Sequence, residues 1–147
     1  MEIYQIKQNK KQFLKLLLLA DEQESMIDRY LSRGTLYALN DKGIKAVCVV
    51  TDEGNGIAEI KNLAVEPAWQ RKGYGKAMVR YIAQRYKKSY RILRVGTGDS
   101  PLTISFYEKC GFCKAFRVKN FFTDNYDHLI FEGGRQLVDM VYLDMKL

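Results

Sequence analysis

The chain has one histidine, three cysteines and two prolines in 147 residues, and each scarcity excludes something. An odd, low cysteine count argues against a disulfide scaffold and fits a reducing compartment. Cys110 and Cys113 stand at C-x-x-C spacing, but Gly111-Phe112 between them reads as a helix stop followed by a strand. With His128 as the lone histidine, no second ligand pair completes a zinc site, and no metal is expected. The apolar run Leu16-Leu17-Leu18-Leu19-Ala20 is far shorter than the ~20 residues of a membrane span. It reads as the buried face of a helix in a cytoplasmic protein, with Lys7, Lys10, Lys11 and Lys15 leaving a membrane surface as a minor reading. Neither G-x-G-x-x-G nor G-x-x-x-x-G-K-[ST] occurs. Met78 stands where a third glycine would complete the first pattern, so a nicotinamide-binding unit and a P-loop are both set aside.

Acidic residues are also missing from one long stretch. Between Pro67 and Gly98 there are nine basic side chains (Arg71, Lys72, Lys76, Arg80, Arg85, Lys87, Lys88, Arg91 and Arg94) and no Asp or Glu. The whole chain carries +7, so the basicity is local and points to a local anionic partner. At the head of that stretch runs E-I-K-N-L-A-V-E-P-A-W-Q-R-K-G-Y-G-K, Glu59 to Lys76. It reads as strand, turn, glycine-spaced loop and helix start. Two glycines two apart let the backbone curl and turn its N–H groups outward, and the following helix adds the positive end of its dipole. The combination describes a seat for a phosphate-rich cofactor. A solvated basic helix face is the plainer reading of the charge alone.

Taken in order, the pattern predicts a strand over 2–6, a helix over 10–20 capped by Asn9, and a second helix over 21–31. A hairpin over 35–39 and 44–51 and a third antiparallel strand over 57–65 follow. A helix over 73–87 and a strand over 91–96 then imply a parallel crossover. Ser100 and Pro101 open a helix that Gly111 stops. A strand over 112–119, an irregular aromatic segment over 120–136 and a last strand from Leu137 complete an α+β fold. There is no linker or repeat, so residues 1–147 are expected to form one domain.

Gln70-Arg71-Lys72-Gly73-Tyr74-Gly75-Lys76 after a strand ending Leu63-Ala64-Val65 resembles the acyl-CoA loop of the GNAT-type N-acetyltransferase superfamily. Phe106-Tyr107-Glu108-Lys109-Cys110-Gly111-Phe112, some thirty residues on, looks like that family's second signature. The resemblance covers nearly the whole chain and is weakest over 1–35 and 120–136. It implies a mixed, mostly antiparallel sheet flanked by helices with a splayed central strand pair. It further implies transfer of an acetyl group from acetyl-CoA to a primary amine, small or protein-borne, by direct attack. Leu63, Ala64 and Val65 would hold the pantetheine arm through main-chain groups. Gln70, Arg71, Lys72, Gly73, Tyr74, Gly75 and Lys76 would wrap the pyrophosphate. Tyr107 would protonate the leaving thiolate, its phenol having a pKa near 10.

Glu59 is the candidate base, because an alkylamine with a pKa of about 10 must lose a proton before it attacks. The alternative is a surface carboxylate paired with Lys61, a pairing that would weaken it as a base. On a regular strand Glu59, Lys61, Leu63 and Val65 share a face, whereas a bulge would re-aim them. Asp99 and Ser100 stand where many relatives carry an asparagine that contacts the cofactor arm, and helix capping is their other reading. Tyr107 also reads as a core aromatic. Met26, Tyr30, Phe121, Phe122, Tyr126 and His128 are acceptor-side candidates by position. Monomer and homodimer both stay open. Two other functions remain: an acyl-CoA sensor without catalysis, and a nucleic-acid-binding module using the basic stretch, although no helix-turn-helix, RNP-type or zinc-finger pattern supports it and no nucleic acid is expected.

Overall fold

The computed structural model describes residues 1–147. Seven strands form one sheet in the order β1-β2-β3-β4-β5-β9-β6, and β7 with β8 makes a separate hairpin. β1 (Glu2–Ile6), β2 (Thr35–Asn40), β3 (Ile44–Asp52) and β4 (Ile57–Val65) run as an antiparallel meander. β5 (Ile92–Gly98) lies parallel to β4, with α3 (Tyr74–Tyr86) crossing between them. β9 (Met140–Lys146) pairs antiparallel with β5, and β6 (Cys113–Val118) closes the far edge.

The sheet is buried on both faces, and period two divides the side chains between them. Ala46, Cys48 and Val50 of β3 join Met78, Val79 and Ile82 of α3 in one core. Val47 and Val49 join Leu16, Leu17 and Ile27 in the other. A central strand covered on both sides reads as a continuous apolar run rather than an alternating one, and K-A-V-C-V-V is such a run. Each fully buried Leu or Ile contributes about 1.5–3 kcal/mol through removal from water. No helix is long and apolar enough to cross a membrane.

The N-terminal helices differ from expectation. Lys10–Phe13 is a 3-10 turn, and α1 spans Leu14–Ala20 only. Asn9 is left-handed at φ 50° and its side chain caps nothing. The second helix, α2, is the single turn Glu24–Ile27. The apolar spacing still marked the right side chains, since Met26, Ile27, Tyr30 and Leu31 are all buried. Past Ile27 the chain continues in local turns rather than a regular helix, the Tyr30 and Leu31 N–H groups both donating to the Ile27 carbonyl and the Gly34 N–H to that of Tyr30. The Lys10 ammonium donates to the carbonyls of Leu31 at 3.0 Å and Gly34 at 2.6 Å, and satisfied carbonyls no longer need a fourth-residue N–H. In the late segment, α4 (Pro101–Lys109) is followed by β6, α5 (Phe121–Asn125) and the hairpin β7 (Ile130–Glu132) with β8 (Arg135–Leu137). The hairpin turns at Gly133-Gly134, both left-handed, where a side chain would be strained.

Candidate active site

The site opens where two neighbouring strands part. β4 and β5 are paired only from Ile57–Ile92 to Ile60–Val95. Beyond that point β5 stays with β9 as far as Gly98–Met140, and β4 stays with β3 as far as Val65–Ala46. The main-chain edges of 61–65 and 96–98 therefore face each other unpaired, the splay expected from the sequence. A cleft of about 350 Å3 fills the gap, and Leu63, Ala64, Val65, Gln70, Thr97 and Tyr107 are among its lining. A second cavity of about 250 Å3, with Glu59, Tyr30 and Tyr142 in its wall, lies beside it. Asp21, Ile60, Lys61, Gly96, Tyr126 and Met140 line both.

A β-bulge decides which side chain enters which cavity. Val49 stands opposite Asn62 and Val50 opposite Ile60, so Lys61 is the extra residue. Before the bulge Ala58 and Ile60 face the α3 core; after it Leu63 and Val65 do. Asn62 and Ala64 turn to the α1 side, where the Asn62 amide donates to the Leu17 carbonyl and Ala64 packs. Glu59 thus lies across the sheet from Leu63 and Val65, not beside them as a regular strand requires. Val, Leu and Ile positions were legible by period two, but one extra residue reverses the parity beyond it.

Glu59 is 6% exposed and accepts an ion pair from Lys61 at 3.0 Å. Burial raises its carboxyl above the ordinary glutamate range, and the Lys61 and Arg94 charges only partly offset this. The expectation that Lys61 leaves Glu59 a weakened base is therefore reversed: desolvation is the larger effect. Tyr107 is 7% exposed, with its ring edge-on to Phe106 and Phe112 at centroid distances of 5.0 and 5.6 Å. Its phenol is raised well above its usual value by burial, and no hydrogen bond contributes. It keeps its proton throughout the working pH range while lining the larger cleft. Both readings of Tyr107 describe it, since it is at once core aromatic and cleft residue.

The glycine loop follows from the end of β4. Gln70 Nε2 donates to the Val65 carbonyl at 3.2 Å and closes the corner. Arg71 is left-handed at φ 62° and Gly73 at φ 90°, and Gly73 stands at the N-cap of α3 without a side-chain cap. Six successive main-chain N–H groups, from Arg71 to Lys76, make no hydrogen bond within the protein. Such a row at a helix N-terminus is an anion-binding concavity. Gly75 packs so closely that a Cβ there would stand 3.1 Å from Phe106 Cζ, which joins the loop to the helix that carries Tyr107. The Tyr74 side chain points away from the row, its hydroxyl donating to Asp41 at 2.7 Å, so only its main chain belongs to the loop.

Asp99 and Ser100 lie outside both cavities. Asp99 accepts from Arg117 at 3.0 Å, which satisfies the carboxylate away from the cleft. Ser100 occupies the N-cap position of α4, but its side chain makes no capping hydrogen bond. Of the acceptor-side candidates, Met26, Tyr30, Phe121, Phe122 and Tyr126 line one or both cavities. His128 lines neither: it is held at the surface by Asp127 at 2.6 Å and Glu22 at 2.9 Å. Asp21, Asn62 and Thr97 were not anticipated. Asn62 follows Glu59 and Lys61 on the same strand, so nothing local marked it.

Comparison with known proteins bears on this geometry. Residues 32–114 match the family model described as an acetyltransferase (GNAT) domain. The Bacillus subtilis (strain 168) protein called uncharacterized N-acetyltransferase YvbK is 39% identical over 135 residues, covering 88% of this chain and 87% of its own. A GNAT family acetyltransferase from Elizabethkingia anophelis, solved with acetyl-CoA bound, superposes with a TM-score of 0.93 at 34% identity, over 99% of this chain and 97% of that one. A Bacillus subtilis acetyltransferase in complex with CoA gives 0.91 at 35% identity, over 99% and 98% of the two chains.

Proposed function

The chain belongs to the GNAT acetyltransferase family, and from that membership we propose that it transfers an acetyl group from acetyl-CoA to a primary amine by direct attack. The observation that carries this reading is the splay of β4 from β5, whose cleft is lined by Tyr107 and reaches Gln70, the residue that leads into the row of free N–H groups from Arg71 to Lys76. In this reading residues 1–147 act as one acyltransferase domain, cytoplasmic in keeping with three free cysteines, as a monomer or homodimer.

The residues divide the work by position. The N–H groups of Arg71 to Lys76 bind the pyrophosphate, and Arg71, Lys72 and Lys76 add charge. The pantetheine arm extends beside Leu63, Ala64 and Val65, whose free strand edge offers main-chain donors and acceptors. One of those N–H groups stabilises the thioester oxygen as it gains charge. Glu59 takes the proton of the incoming ammonium, directly or through water. Its raised pKa brings it closer to the operating pH, where a base is most effective. The neutral amine attacks the carbonyl carbon, the C–S bond breaks, Tyr107 protonates the departing sulfur, and the proton shed by the nitrogen as it becomes the amide restores the phenol through solvent. Asp99 and Ser100 take part through the main chain of the β5–α4 turn, the Asp99 side chain being held by Arg117.

The test is a screen of primary amines with acetyl-CoA, read by thiol release and by the 42-dalton gain of the acetylated product, about the mass of C2H2O. Acceptor-dependent thiol release supports the reading. Tight acetyl-CoA binding without turnover on any amine reassigns the protein as an acyl-CoA sensor.

A further inference from the structure

A network of four side chains joins the two cavities and has no part in the chemistry assigned above. Asp21 follows α1 directly and lines both cavities. Its two oxygens accept from the hydroxyls of Tyr126 at 2.6 Å and Tyr30 at 2.9 Å. The Tyr30 oxygen in turn accepts from Asn62 Nδ2 at 3.1 Å. Asn62 also donates to the Leu17 carbonyl at 3.0 Å. A carbonyl partner can only accept, so it fixes the amide orientation, and Tyr30, which gives its own proton to Asp21, is an acceptor too. The Asn62 oxygen is thereby turned away from both partners. Asn62 is 3% exposed and lines the larger cleft, and its Oδ1 is the one buried side-chain polar atom without a hydrogen-bond partner. A buried acceptor left unpaired costs about 1–3 kcal/mol, and a ligand N–H would recover it.

Asp21 is equally short of a partner of its own kind. The three cations in the wall of the smaller cavity are engaged elsewhere: Lys61 with Glu59, Arg33 with Glu53, and Arg29 with the Asn125 amide. The other acids of the larger cleft are also held, Glu22 by His128 and Glu132 by the Thr103 hydroxyl. Asp21 is held by the two hydroxyls and the Gln23 main-chain N–H, Arg29 acts on it only through space, and no cation forms an ion pair with it. Around it the smaller cavity carries Met26, Ile60, Phe121, Tyr126, Met140 and Tyr142 in its wall, beside the paired charges of Glu59 and Lys61. A wall with this share of aromatic and thioether side chains covers a ring once a charged group anchors it.

We propose that Asp21 and Asn62 Oδ1 receive the amino group of the acceptor, and that the acceptor is a primary amine carried on a flat, apolar body, such as an arylalkylamine. An ammonium brings three N–H donors and one positive charge. The carboxylate meets the charge, the amide oxygen takes a further N–H, and the aromatic wall covers the ring. Tyr30 and Tyr126 are positioning residues that hold the carboxylate in place. Burial raises Asp21 above the ordinary aspartate range against the pull of both hydroxyls, the Arg29 charge and the Gln23 N–H, as expected of a desolvated carboxylate without a contacting counter-ion. This inference rests on the acetyl-transfer reading, because it names that reaction's acceptor.

The experiment compares phenethylamine with 2-phenylethanol, which has the same ring and chain but no charge. Both are titrated into the protein with and without CoA and followed by NMR chemical shifts. The expected result is that the amine binds about tenfold more tightly than the alcohol, as for a charge-assisted contact in a partly desolvated site. In Asp21→Asn the two should fall within about twofold of each other, with alcohol and CoA binding retained. Asp21→Ser and Asp21→Ala also remove the charge and should likewise abolish the preference, which covers the case in which the Asn variant does not fold. Equal binding of amine and alcohol by the wild type overturns the proposal without any variant, as does an amine preference that survives in a folded Asp21→Asn. Failure to bind CoA counts instead against the acetyl-transfer reading.

Discussion

Tyr107→Phe separates chemistry from architecture at one atom. The phenol oxygen of Tyr107 has no hydrogen bond within the protein, so its removal breaks none. The ring stays edge-on to Phe106 and Phe112, and the aromatic burial is unchanged. The stability change should be under about 1 kcal/mol, which at this chain length is within about 4 °C in Tm. Turnover should respond very differently. Protonation of a leaving group is worth about 10²–10⁴ in rate, roughly 2.7–5.5 kcal/mol of barrier. The assay is thiol release under saturating acetyl-CoA and amine, with acetyl-CoA affinity measured separately by calorimetry. A fall in kcat of about a hundredfold or more, with affinity within twofold and Tm unmoved, is the expected result. Because burial holds the phenol well above its usual pKa, the wild-type rate should show no alkaline decline from this group below about pH 10. A variant that turns over within threefold of the wild type refutes the assignment, as does one that loses cofactor affinity in parallel with rate.

Other substitutions probe the remaining parts. Glu59 must be ionised to accept a proton, so kcat/KM should fall as pH drops through its folded pKa. That limb should lie above the ordinary glutamate value, since burial raises it; Glu59→Gln should lose the limb, and an unchanged profile removes Glu59 as base. Gly73→Ala meets no atom within 4 Å but imposes a side chain at φ +90°, at a cost of about 1–2 kcal/mol. Calorimetry should show acetyl-CoA affinity down by about fivefold or more, as for one lost hydrogen bond in the loop. Ile82 is fully buried between α3 and the sheet, so Ile82→Ala should lower stability by about 2–5 kcal/mol in denaturant unfolding.

Which parts of this protein were legible follows from the range over which each signal acts. The meander, the parallel crossover, the glycine loop and the helix carrying Tyr107 are set by local patterns: apolar runs bounded by turn residues in β2 and β3, period 3.6 in α3, and a left-handed glycine before a helix. Those patterns are complete within some fifteen residues, and the chain alone carries them. The N-terminal helices were misjudged in length because the chain past Ile27 runs on in turns, ending at carbonyls of Leu31 and Gly34 that Lys10 reaches, and helical spacing does not tell a turn from a helix. The face of Glu59 depended on a bulge at Lys61 that shows only in the register against β3. Its raised pKa depended on the depth of burial, not on the lysine two residues away. The meeting of Asp21, Tyr30, Asn62 and Tyr126 spans 105 residues of chain and leaves no local trace. Sequence by itself determined the elements, the cofactor loop and the family resemblance, because each rests on near neighbours and fixed spacing. Tertiary structure decided which carboxylates are desolvated, which face each side chain takes and where the strands part, because those depend on groups brought together only when the sheet closes.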